Sequence, residues 1–214
     1  MPRSTNGQPV VVGVADHNGW AILVSAAAVN GEPTVVDRRR VELIEKGVPS
    51  QPYHHETVGL GDAEAEQLVR TVKRSVAACA ALACDRLAAD LSPQYRVAAI
   101  AIRHPPLDHL PATVAEVHRS YHVFCRADGM LYHSAMCAAA RRHKWDVLLH
   151  YRGEELEKAA DALQASAPDV ERVLNDLRPT MKPPWTAEYR HAFAAAIGGL
   201  SRHSRLRGLS ARRP

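Results

Sequence analysis

The stretch VVVGVADHNGWAILVSAAAV, residues 10–29, sets two apolar runs on either side of a short polar break made of Asp16, His17, Asn18 and Gly19. Runs this apolar, the first of them rich in valine, fit strands buried on both faces. A break of so few residues returns the chain antiparallel to itself. The chain is therefore organised around a sheet whose opening hairpin lies in the interior. Asn30 and Gly31 both tolerate positive φ and supply a second tight turn. The segment PTVVDRRRVELI (33–44) then alternates around a charged centre, and the three runs together predict an antiparallel meander.

The loop from Gly47 to Gly61 holds two prolines and the run YHHE and is expected to be irregular. Asp62–Leu91 reads as a helix, with an acid in its first turn and apolar residues at helical spacing. YRVAAIAI (95–102) and WDVLLHY (145–151) read as short buried strands. PATVAEVHRSY (111–121), DGMLYHSAMCAAARRH (128–143), GEELEKAADALQA (153–165), PDVERVLNDL (168–177) and TAEYRHAFAAAIGGL (186–200) read as helices. The order β-β-β-α-β-α-β-α predicts an α/β fold: a mixed five-stranded sheet, an antiparallel meander followed by two parallel strands, flanked by helices. This order resembles the ribonuclease H-like fold shared by ribonuclease H, junction-resolving (resolvase-like) nucleases and sugar-kinase-type ATPases.

With 214 residues and 46% apolar content, the chain fits a single domain over residues 8–200. The net charge of +4 is concentrated at the end, where LSRHSRLRGLSARRP carries five arginines and no acid. Residues 201–214 are thus expected to form a flexible basic tail able to attract nucleic acid. Cys79, Cys84, Cys125 and Cys137 form no CxxC pair, and no charged N-terminal segment precedes an apolar core. Disulfides and secretion are not expected, no apolar stretch is long enough to span a bilayer, and a cytoplasmic location follows as the expectation. A phosphate-binding glycine loop, a Gly-x-Ser-x-Gly elbow and His-Glu-x-x-His are all absent, which sets the sugar-kinase branch aside.

Three stretches carry a narrower resemblance: HNGWA (17–21), DRRRVELI (37–44) with QPYH (51–54) soon after, and PPWTAEYRHAFAAAI (183–197). They resemble an uncharacterised bacterial protein family showing His-x-Gly-Trp-Ala, Asp-Arg-Arg, Pro-Tyr-His and a final helix opening Pro-Pro-Trp-x-x-Asp-Gln-Lys. That family also carries Ser-His-x-x-Ile-His-Thr-Ala-Glu-Gly-x-Leu-Phe-Arg, matched here by SYHVFCRADGMLYH (120–133). Both motif histidines are replaced, by Tyr121 and Cys125, the glutamate by Asp128, and the final-helix aspartate by Glu188. The resemblance implies the fold and the place of a site, with chemistry altered or lost at the two replaced histidines.

The candidate residues gather near predicted element ends, where loops usually carry chemistry. In nucleases of the resembled fold a first-strand aspartate and a late-helix acid share divalent metal, which would make Asp16 the first ligand and Glu188 the last. The acid expected at the end of the fourth strand is missing, since Arg103 and His104 stand there. Glu188 and His191 lie one helical turn apart and share a face. His104, before Pro105 and Pro106, is held in extended backbone at a strand end, where a general base or a ligand can sit. Cys125 is a candidate nucleophile if His122 or Arg126 lowers its thiol pKa, or else a packed small hydrophobe. Asp16 and Asn18 alternatively cap the turn, and His54 alternatively titrates in a surface loop.

The leading expectation is a hydrolase-type enzyme acting on a small-molecule substrate. Its catalytic set is Asp16, His17, His104 and Glu188, and its substrate contacts are Asn18, His54, Tyr121 and Cys125. One divalent ion (zinc, manganese or iron) would be held by Asp16, His17, Glu188 and His191. Two other classes stay open. One is a nucleic-acid-processing or binding protein using the basic tail. The other is a non-catalytic subunit of a homo- or hetero-oligomer, with the alanine-rich helices 128–142 and 186–199 packed on another chain. The leading reading requires the polar break after the first strand and the acid of the last helix to meet.

Overall fold

The computed structural model describes residues 7–209. Three strands, β1 (Gln8–His17), β2 (Trp20–Val29) and β3 (Glu32–Glu42), pair antiparallel, and β4 (Tyr95–Arg103) and β5 (Asp146–His150) join parallel to β1, in the order β3-β2-β1-β4-β5. Both turns of the meander are two-residue connections: Asn18-Gly19, with Gly19 at φ 97°, and Asn30-Gly31, at φ 53° and 83°. This is the predicted mixed five-stranded sheet. Helices α1 (Asp62–Leu91), α2 (Val114–Arg119) and α3 (Tyr121–Arg142) cover one face, and α4 (Glu155–Leu163), α5 (Ala167–Asp176) and α6 (Ala187–Leu200) cover the other. Among the described residues no helix is long and apolar enough to cross a membrane.

Two boundaries differ from the sequence reading. Residues 122–127, left between two helices, are the first turns of α3, whose N-terminus is capped by the Ser120 hydroxyl accepting from the Val123 amide (3.4 Å). The tail does not leave the body at residue 201. The Arg207 amide donates to the Gly31 carbonyl (2.7 Å), and Leu206 and Leu209 pack on the α4–α6 core. Arg212 and Arg213 lie outside the described residues.

Strand side chains alternate between faces, and β1 divides its valines accordingly. Val10, Val12 and Val14 enter the core under α1 and α3, whereas Val11 and Ala15 enter the core under α6. The alanines of α6 follow from how closely that helix approaches the sheet. A Cβ on Gly13 would stand 1.7 Å from the Ala192 carbonyl oxygen, and one on Gly199 would meet Val11 and Leu148 at 2.8 and 2.9 Å. Ala192, Ala194, Ala195 and Ala196 are all buried in the core that α6 forms with the sheet and α4. The small residues of α6, and Ala127, Ala139 and Ala140 of α3, are therefore used within the chain, which removes the sequence argument for docking these helices on another subunit.

Gly13→Ala must push α6 off β1. It is expected to cost about 3 kcal/mol and to lower the melting temperature by roughly 6–12 °C, read by thermal unfolding.

Candidate functional site

At the C-terminal ends of β1 and β4 the sequence motifs meet in two groups, one on each face of the sheet. On the α6 face, His17 and Trp20 flank the Asn-Gly turn as a directly paired couple, and their rings stack at 3.9 Å and 11°. The Arg40 guanidinium lies over the Trp20 ring at 4.1 Å, so β3 adds a cation–π contact to the stack. His17 Nε2 stands 3.1 Å from Glu188 Oε1 at the start of α6. The segment that delivers Glu188 is fastened to β3 by Arg38, which donates to the carbonyls of Lys182 and Pro184 and lies over the Tyr189 ring at 5.6 Å. The Trp185 indole N–H donates to the Leu174 carbonyl (3.0 Å) and anchors the same segment from below. His17 and Trp20 of the first stretch, Arg38 and Arg40 of the second and the PPWTAEYR segment thus form one surface, with His17 and Glu188 partly exposed at its centre.

The other two motifs meet on the α3 face. Pro52–Glu56 is a single π-helical turn whose Tyr53 and His54 amides both donate to the buried Asp128 carboxylate, at 3.0 and 3.1 Å. Burial raises the Asp128 pKa, and the two amides oppose the shift. The His54 ring stacks on Phe124 at 4.7 Å, and Tyr132 donates its hydroxyl to the Ser50 carbonyl (2.8 Å). His118 closes the group, its Nε2 3.1 Å from the Thr57 hydroxyl. His54 is therefore part of a packed aromatic corner. Tyr121 and Cys125 sit apart on the outer face of α3, where Tyr121 is exposed and its hydroxyl meets the Cys125 thiol. His122 and Arg126, the expected activators of Cys125, pair with each other (3.1 Å).

Of the expected catalytic four, the structure brings together His17 and Glu188 and separates the rest. Asp16 and His17 are successive residues of β1 and face opposite sides of the sheet. Asp16 turns toward α3, where burial and the Asp16 charge push the Cys137 thiol up to about 11 against the opposing pull of Arg141. Asn18 also lies on the α3 side, against Gly129. His104 stacks on Tyr151 at 4.1 Å, and His191 stands exposed on α6.

The metal set is corrected for the same reason: Asp16, His17, Glu188 and His191 do not converge. Among the described residues no group of three or more His, Cys, Asp or Glu side chains could hold an ion. At the end of β4, facing the α6 side, stands a cation: Arg103 Nε lies 3.3 Å from the buried Glu155 carboxylate. The residues present do not fit the expected divalent ion.

His150, Glu155 and His133 were missed by the sequence reading, which named Asp128 only as the replacement of a motif glutamate. All four are polar residues buried by segments distant in the chain, and no local pattern marks that burial. The Glu155 carboxylate accepts from the Gly153 amide (2.7 Å) and stands 3.7 Å from His150 Nδ1. Burial works to raise the Glu155 pKa, but backbone donors, His150 and Arg103 outweigh it and hold the group below the usual carboxylate range. Burial lowers the His150 pKa, despite the Tyr151 carbonyl and Glu155.

A depressed folded pKa contributes stability above the unfolded value and loses it as pH falls through the folded one. The melting temperature should therefore hold above the ordinary imidazole value of 6.5 and decline as the pH drops below it. His150→Gln should flatten this part of the profile and leave the later decline, below the ordinary carboxylate value of 4.5, in place. Melting curves recorded across that range test both statements.

No protein-family model matches the chain, and no curated protein matches it. Solved structures do. The Thermus thermophilus RuvC structure superposes with a TM-score of 0.51 at 13% identity, covering 94% of this chain and 99% of that one. T. thermophilus RuvC in complex with Holliday junction substrate gives a TM-score of 0.49 at 14% identity, with the same coverage. At such identity the first likeness is one of architecture alone. Together with the strand order, it shows that this chain has the ribonuclease H-like fold of RuvC.

Proposed function

We propose that the protein is a hydrolase-type enzyme in which His17, oriented by Glu188, activates water against a small ester or phosphodiester. The observation that carries this reading is the 3.1 Å contact between His17 Nε2 and Glu188 Oε1. A carboxylate at Nε2 places the imidazole proton there and leaves Nδ1 with its lone pair. Nδ1 then takes a proton from water as the water oxygen attacks the carbon or phosphorus centre. The same proton passes to the departing oxygen. Trp20 beneath the ring and Arg40 beneath Trp20 keep the imidazole plane fixed, so little reorganisation is needed at the moment of transfer. No step runs through a metal ion.

The test uses p-nitrophenyl acetate and bis(p-nitrophenyl) phosphate as probes. His17→Ala should lower turnover by about 10²-fold or more, and Glu188→Gln by a smaller factor. A chelator should leave the rate unchanged. Absence of turnover on both probes, or equal turnover in the His17 variant, would remove the proposal.

A second reading, nucleic-acid binding, is favoured by Arg202, Arg205 and Arg207, which stand exposed on a segment that stays on the body. Three phosphate contacts imply roughly a fortyfold loss of affinity for a DNA duplex between about 50 and 200 mM salt. Because Leu206 and Leu209 are packed, replacing the three arginines with glutamine is the appropriate variant, and truncation is not. A flat salt response measured by fluorescence anisotropy excludes this reading.

A further inference from the structure

A cavity of about 600 Å³ lies between the edge strand β5 and helices α4 and α6, and neither His17, Trp20 nor Glu188 lines it. Its walls include Ala101, Leu148, Ala195 and Gly199, which are apolar or lack a side chain, and its polar lining includes His150 and Glu155. The volume falls within the range of small-molecule sites.

The His150 side chain is only 5% exposed. Its Nδ1 lies 3.2 Å from the Tyr151 carbonyl and 3.7 Å from Glu155 Oε1, two acceptors that fix the ring proton on Nδ1. Nε2 is therefore an acceptor, and it is buried with no hydrogen-bond partner among the described residues. A buried acceptor without a donor is disfavoured, and native interiors rarely leave one. The charges close to it are already matched. Glu155 pairs with Arg103 (3.3 Å), and Lys158 pairs with Glu154 (3.1 Å) and donates to the Leu149 carbonyl (3.1 Å). Asp161 and Arg202, of opposite sign, stand at the exposed rim. What the site lacks is one hydrogen-bond donor, not a counter-ion.

We propose that this cavity is a second binding site, for a small uncharged molecule that presents a hydroxyl or ring N–H to His150 Nε2 and lays an apolar body against Ala101, Leu148, Ala195 and Gly199. The site does not depend on the chemistry assigned to His17.

Phenol and anisole form the matched probe pair, since both carry the apolar ring and only phenol carries the donor. In titrations of the full chain followed by calorimetry and by the imidazole nitrogen resonances, phenol should bind at millimolar concentration and shift the His150 Nε2 signal. Anisole should bind about tenfold more weakly, the factor expected when a buried acceptor stays unpaired. Ala162→Phe narrows the cavity from its α4 wall without touching the Glu155 pair, and should lower phenol affinity at least tenfold while the melting curve is kept. Equal binding of the two probes, binding of neither, or wild-type phenol affinity in the Ala162 variant would each overturn the proposal.

Discussion

The contact on which this structure depends is the backbone-to-backbone packing of α6 on β1. Gly13 leaves no side chain between the strand and the Ala192 carbonyl, so the helix axis lies closer to the sheet than larger residues would permit. Everything at the N-terminal end of α6 inherits its position from that approach. Glu188 reaches His17 because the helix is pinned from three sides: by Gly13 beneath, by Trp185 on the Leu174 carbonyl and by Arg38 on the preceding loop. One long-range contact at the surface is thus fixed by several buried ones.

The sheet acts as a partition. Its alternation sends Asp16 toward α3 and His17 toward α6, so two successive ionisable residues serve different surroundings. On the α6 face, the residue that could have gathered a cation is itself one: the Arg103 guanidinium compensates Glu155. A buried carboxylate needs such compensation, since an isolated charge in the interior is strongly disfavoured. The same constraint explains Asp128, whose two backbone donors hold it in place and thereby tie the Pro52–Glu56 turn to α3. Glu155 and Asp128 are both engaged in holding segments together, which is a different task from sharing an ion.

The two faces also differ in what they leave open. On the α3 face the His54 ring stacks on Phe124, the His118 ring meets it edge-on, and together they fill the corner between the turn and the helices. On the α6 face the small residues that let α6 approach β1 also leave space beside β5, where Gly199 and Ala195 line a cavity. The close approach of α6 to β1 and the open volume beside β5 both follow from residues too small to hold the elements apart or to fill the space between them.

The sequence by itself determined the sheet. Two valine- and alanine-rich runs around an Asn-Gly break, a second Asn-Gly turn and two later apolar runs leave little choice of strand number or of the hairpin pairings, because those signals are local and periodic. The same periodicity, applied to residues 16 and 17, already implies that Asp16 and His17 diverge. The family resemblance marked HNGWA, DRRR and PPWTAEYR without showing what they share. Only the tertiary structure decided that His17, Trp20, Arg38 and Arg40 share one surface with the segment before α6, that Asp128 belongs to the Pro52–Glu56 turn and that His150 and Glu155 are buried beside Arg103. The physical reason is one of range. Strand and turn preferences are set by neighbours in the chain, whereas the burial of a polar group and the identity of its partner depend on how closely distant segments pack.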